Sequence, residues 1–207
     1  MTKFFVPGEE RKATPRDPWI YSFLGRRVGP YADAPAIREI AVALGRICRF
    51  AGNGTCFYPT LLHSFVVADL LPDPLKVYGL LHDANDCVTG DIPKPFKTPD
   101  QERIEERINN KVLINQGLRL LSETEHAEVK MADRAALIGE VWTVGARRLR
   151  SMYPDRRRDI EDAIQNYVLK YPATACIDSS GRAAKDFILR YKEYRKLVRS
   201  VSCETGG

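Results

Sequence analysis

Apolar and polar positions alternate along this chain with a helical period nearly throughout. From Asp33, the segment PAIREIAVALGRICRF places Ile37, Ile40, Ala41, Leu44 and Ile47 three and four residues apart. That spacing predicts a helix buried along one face, with Asp33 as its cap. AGNGT would break it. Pro59, a good first-turn residue, opens a second helix in YPTLLHSFVVADLL, which LPDP ends. A third helix covers roughly 74–85. GDIPKPF holds two prolines and is an ordered loop rather than a helix. Thr98-Pro99-Asp100-Gln101 reads as a capping box starting a long helix to about 121. Ser122-Glu123-Thr124-Glu125 reads as another, starting a helix to about 151. Two more helical stretches follow near 156–171 and 182–201. No alternating run predicts a strand. The expected fold is all-α, a single domain over 1–207 with a bundle of about seven helices. Residues 1–34, rich in Pro and Gly, wrap the surface, with the aromatics of DPWIYSFLG docked on the core. Residues 35–145 form that core, and 146–207 supply C-terminal helices.

Composition adds modest bounds. A chain of 207 residues can bury a sizeable core as one domain. Its formal net charge of +5 suits polyanionic small molecules as readily as nucleic acid. No apolar run approaches transmembrane length, and MTKFFVPGEERK lacks the apolar region of a signal peptide. A cytoplasmic protein without membrane contact is expected. The five cysteines, Cys48, Cys56, Cys87, Cys176 and Cys203, are scattered and form no CxxC. They read as reduced thiols rather than a zinc ribbon or a disulfide frame.

The candidate chemistry centres on His82-Asp83 in LLHDANDCVTGDIPKPFK, where a nitrogen and an oxygen ligand stand side by side. Asp133 falls on the apolar stripe of Val129, Ala136 and Leu137, so it is expected to point into the core. An unpaired buried carboxylate there needs a cation, a metal or strong hydrogen bonds. His63 shares a face with Val67 and Leu70, and His82 with Tyr78 and Leu75. Each residue alone has an ordinary reading, as a core histidine bonded to a carbonyl or an ion-paired aspartate. Together with the acids that follow the His-Asp pair, they favour a metal site. His126, among Glu123, Glu125 and Glu128, reads as solvated. The basic clusters RRLR (147–150) and RRRD (156–159) lack interleaved aromatics, so they read as solvated or inter-subunit surface and no stable nucleic-acid complex is expected.

The order His63…His82-Asp83…Asp133 on separate helices resembles the HD-domain phosphohydrolase superfamily. IAVALGRICRFAGNG, LLHSFVVADLL, LLHDANDCVTGDIPKPFK and KMADRAALIGE, in that order, are similar to the small nucleotide-cleaving members. These include bacterial 5′-deoxynucleotidases and phage dATP triphosphohydrolases. The resemblance covers about 17–145 and implies that His63, His82, Asp83 and Asp133 bind a metal, with zinc, manganese or cobalt suited to mixed nitrogen and oxygen ligands. Magnesium is the candidate second ion. The resemblance also implies a forked phosphate clamp for Arg49 and packing of Phe50 on the sugar or base. Gly52 and Gly54 would allow close ligand approach. Lys97 would neutralise phosphate, whereas Lys94 reads as a solvated loop charge. Asp91 would donate a proton to the departing 5′-oxygen or orient the attacking water. Asp86 stands where the family has Glu, and its carboxylate, one methylene shorter, would reach the site through water, which puts its catalytic role in doubt. Glu140, on the face of Asp133, would brace the site through an arginine or a backbone group. The implied activity is conversion of dATP to deoxyadenosine and triphosphate, with dADP and dAMP as further substrates. The alternatives are a 5′-deoxynucleotidase acting on dNMPs and a non-catalytic metal- and nucleotide-binding module. A homo-oligomer, dimer or hexamer, is implied, in the host cytoplasm if the source is a phage.

Overall fold

The computed structural model describes Thr14 and residues 17–204, with side chains as far as Val198. Most of the N-terminal wrap before Asp17, and the thiol of Cys203, lie outside the described residues. A short antiparallel hairpin comes first: β1 (Ile20–Tyr21) pairs with β2 (Arg27–Val28), Ile20 opposite Val28 and Tyr21 opposite Arg27. Two-residue strands are too short to show an alternating pattern, so they are not legible in the sequence. The aromatics expected to dock on the core do not. Tyr21 is 65% exposed, Phe23 is exposed, and half-buried Trp19 lies under the Arg27 guanidinium at 4.1 Å. Val28 is the hairpin's buried anchor. Polar contacts complete the attachment, since buried Glu39 accepts from Ser22 Oγ and, at 2.8 Å, from Arg26 Nη1.

The rest is helical, as the periodicity predicts, but nine α-helices stand among the described residues instead of about seven. They are α1 (Ile37–Leu44), α2 (Thr60–Asp69), α3 (Lys76–Leu81), α4 (Asp86–Thr89), α5 (Pro99–Asn115), α6 (Glu123–Thr143), α7 (Arg158–Lys170), α8 (Ala173–Ile177) and α9 (Arg182–Glu204). The extra two, α4 and α8, are single turns without a full apolar period. Both sequence capping boxes form: Thr98 Oγ1 accepts from Gln101 N–H, and Ser122 Oγ from Glu125 N–H. Asp33 does not cap α1. Pro35 keeps the preceding residue out of helical geometry, and the helix opens at Ala36, whose N–H donates to Glu39 Oε2 at 2.6 Å.

Helix ends fall earlier than the pattern suggests. Gly45 is the C-cap of α1 and packs on the Cys176 carbonyl, where a Cβ would lie 2.5 Å from the oxygen. Gly117 turns the chain after α5 with a φ of 64°. Arg147–Met152 forms its own 3-10 turn beyond α6.

At the centre lies α2, buried on every side from Thr60 to Ala68. Such a helix is apolar all round, so its one histidine enters the middle of the core. Around α2 pack α1, α3, α6, α7 and α9. Phe65 sits in an aromatic nest, 5.6 Å from Tyr167, 5.8 Å from Tyr171 and 6.2 Å from Phe187, ring centre to ring centre. Phe65→Ala should cost about 3–5 kcal/mol of stability, read as a lowered urea midpoint with unchanged slope; a loss below about 1 kcal/mol would mean the nest collapses to fill the space. No helix among the described residues is long and apolar enough to cross a membrane.

Candidate metal centre

Three helical segments bring the ligand candidates together. His63 comes from buried α2, His82 caps the end of α3 with Asp83 in the turn after it, and Asp133 projects from α6. His63 Nε2 stands 3.2 Å from His82 Nε2 and 3.1 Å from Asp133 Oδ1. Asp83 Oδ2 lies 3.1 Å from His82 Nε2 and 3.6 Å from His63 Nε2. Ligand atoms of His63, His82 and Asp133 all fall within 4.8 Å of one another, so this cluster can coordinate a metal ion.

The partners behind the rings aim the nitrogens. His63 Nδ1 lies 2.6 Å from Glu140 Oε1, and His82 Nδ1 lies 2.8 Å from the Gly79 carbonyl. Both neighbours only accept, so each Nδ1 is the donor, and each ring in its neutral form would turn an Nε2 lone pair inwards. Two lone pairs and two carboxylate oxygens facing one another repel unless a positive charge, a proton or a metal cation competing for the same Nε2, is shared among them. The donor set therefore fits a divalent cation. Asn109 of α5 pins the turn, donating from Nδ2 to the His82 carbonyl at 2.8 Å and accepting from Asn85 N–H through Oδ1 at 2.8 Å. In the sequence Asn109 is marked only as a polar residue between Ile108 and Val112 on the buried side of α5.

Protonation follows the same electrostatics. Burial and the Arg49 charge oppose a proton on His63, but Glu140 and Asp133 outweigh them and push its pKa up to about 10. Burial would raise the Asp83 carboxyl, yet His82, His63 and Arg49 hold it well below the usual range. Burial works against the Asp133 charge too, and His63 and His82 overcome it. Asp133 does not point into the core as its stripe suggested. Its side chain is 43% exposed, because α6 turns this position to the mouth of the site.

Arg49 is in a 3-10 turn, Arg49–Gly52, and not at the end of a helix. A β-like ladder presents it: Thr60 N–H donates to the Ile47 carbonyl and Arg49 N–H to the Tyr58 carbonyl, both at 2.9 Å. Its guanidinium contacts three carboxylates, Glu140 through Nη2 at 3.2 Å and Asp83 and Asp91 through Nη1 at 3.7 Å. Nε is buried without a hydrogen-bond partner among the described residues. The expected bracing of an arginine by Glu140 is present. Phe50 and Ala51 take left-handed φ values of 57° and 50°, and Arg49 Cζ lies 6.0 Å from the Phe50 ring centre.

The remaining candidates divide. Asp91 stands beside Arg49 at the site. Gly52, with a φ of 78°, faces open space, consistent with close ligand approach. Gly54 does not, since its Cβ would meet the Val144 carbonyl at 2.9 Å, and its smallness serves packing. Asp86 is buried and bonded to Asn85 Nδ2 at 2.8 Å; burial, Asp83 and Asp91 raise its pKa well above the usual range. Lys97 reaches the acidic region but is committed to Glu105 at 2.7 Å, so it is no free phosphate counter-charge. Lys94 and His126 are exposed. RRLR lies in its own turn instead of a last helical turn, and an aromatic does accompany the basic clusters in space: Arg150 and Arg156 both lie over the Trp142 ring, at 5.6 and 5.2 Å.

No family model matches the chain. It is similar to the uncharacterized protein YfdR of Escherichia coli (strain K12), at 37% identity over 110 residues, which is 52% of this chain and 60% of that protein. The chain thus spans less than two thirds of that relative's length.

Proposed function

We propose that this chain is a metal-dependent phosphohydrolase of the HD-domain kind that removes the phosphate chain from deoxynucleotides, dATP first, giving deoxyadenosine and triphosphate. The observation that carries the reading is the pair of Nε2 atoms 3.2 Å apart, flanked by Asp133 and Asp83, with a guanidinium at the same carboxylates. His63, His82, Asp83 and Asp133 would hold zinc, manganese or cobalt. A divalent metal so held supplies a Lewis acid for a phosphoryl oxygen and lowers the pKa of a bound water.

The other residues supply binding and proton placement. Arg49 offers a fork of donors to phosphate oxygens, already held in place by buried Glu140. Phe50 and Gly52 flank it, one to pack on the sugar and the other to leave room for it. In the reaction the bond between phosphorus and the 5′-oxygen breaks, a water oxygen goes to phosphorus, and the 5′-oxygen takes a proton. Asp91, beside Arg49, is the group placed to donate that proton or to orient the water.

The test is a panel of dNTPs, dNMPs and NTPs incubated with purified protein and manganese, cobalt or zinc, with products identified. Triphosphate and deoxyadenosine from dATP are expected. Phosphate from dNMPs alone would move the reading to a 5′-deoxynucleotidase. No release from any nucleotide, with metal bound, would leave a non-catalytic binding module.

A further inference from the structure

We propose that Glu140 is a positioning residue serving both halves of the site at once, fixing the ligand face of His63 and the seat of the Arg49 guanidinium. This rests on the reading of the site as a phosphate-handling metal centre. Glu140 itself is fully buried, and each of its oxygens has a different partner. Oε1 takes the His63 Nδ1 proton at 2.6 Å, and Oε2 takes an Arg49 Nη2 proton at 3.2 Å. The carboxylate is thus a bridge between a ligand on α2 and a cation on the 49–52 turn.

Its place on α6 gives the bridge a fixed length. Glu140 lies seven residues after Asp133, about two turns along the same helix face. One rigid helix therefore carries both a ligand candidate and the group that holds the clamp, so clamp and metal keep one spacing. His63 is buried, and its ring could meet the site by either nitrogen. The bond to Oε1 selects Nε2. Arg49 contacts Asp83 and Asp91 only at 3.7 Å, so the shorter, fully buried contact to Glu140 is the one that anchors it. Tyr58 closes the far side: its buried phenol neighbours Glu140, and its carbonyl takes the Arg49 N–H.

A purely structural ion pair joining α2, α6 and the turn would make the same contacts, so the test reads metal affinity without turnover. Glu140→Gln keeps the shape and removes the charge. Calorimetric titration with manganese or zinc alone should show about 10–100-fold weaker binding than wild type, and Glu140→Asp, which keeps the charge, should recover part of the loss. Binding of inorganic triphosphate to the metal-loaded protein should weaken in Glu140→Gln as well. A folded Glu140→Gln protein that binds the metal within about twofold of wild type overturns the proposal. Should that variant not fold, nitrogen-15 imidazole spectra of zinc-loaded wild type decide: Nδ1 of His63 protonated and Nε2 metal-bound is the expected result, and the reverse overturns it. Wild type that binds no metal refutes the metal centre itself. A wild type that binds metal but cleaves no nucleotide sinks the phosphohydrolase reading while the role of Glu140 stands.

Discussion

His82→Ala and Asp133→Ala should each abolish nucleotide cleavage, with a loss of at least about 1000-fold, or about 4 kcal/mol of transition-state stabilisation. Metal content should fall with activity. Each change removes one ligand atom from a cluster spanning 4.8 Å, and the two atoms that remain, with Asp83, leave the ion weakly held. Asp133→Ala is the cleaner experiment. Its side chain is 43% exposed at the mouth of the site, so the fold has little to lose and the melting temperature should stay near that of wild type. His82 is more enclosed and bonded to the Gly79 carbonyl, so His82→Ala needs a circular-dichroism control. Full activity retained in either variant refutes the metal centre.

Arg49→Ala should lower kcat/KM about 100–1000-fold, or about 3–4 kcal/mol, and should destabilise the protein as well. The first loss is the phosphate fork. The second arises because Glu140 would be left buried with only His63 as partner, and removing one member of a buried charge pair costs about 3–5 kcal/mol. Arg49→Lys separates the two effects. A lysine keeps the charge near Glu140 and so should restore most of the stability, but it cannot make the forked contact and should restore little of the activity. Measured side by side by thermal melts and steady-state kinetics, equal recovery of both would show that Arg49 acts only as a structural counter-ion.

The parts of this protein that were legible in advance are those set by neighbours in the chain. The capping boxes at Thr98 and Ser122 act over three residues, and both form. The apolar stripe of α1 repeats within a single helix and marks which face turns inwards. The His-Asp pair is legible for the same reason, since adjacency alone places two ligand types in one turn. What escaped depends on residues that only folding brings into contact. The need for a glycine at the end of α1 comes from the carbonyl of Cys176, and the hairpin's seat from its ties to Glu39. Lys97 reads as a free cation until Glu105, a turn into the next helix, takes it up.

Periodicity and capping, which are local consequences of backbone geometry, determined from the sequence that the chain is helical and that His63, His82 and Asp133 sit on separate helices. Only the tertiary structure decided that their ligand atoms meet, that Asp133 opens to solvent, and that Glu140 holds His63 and Arg49 together across 77 and 91 positions of chain. The physical reason is range. A stripe fixes which side of a helix is buried, but the distance between two side chains on different helices is set by how the whole core packs around α2.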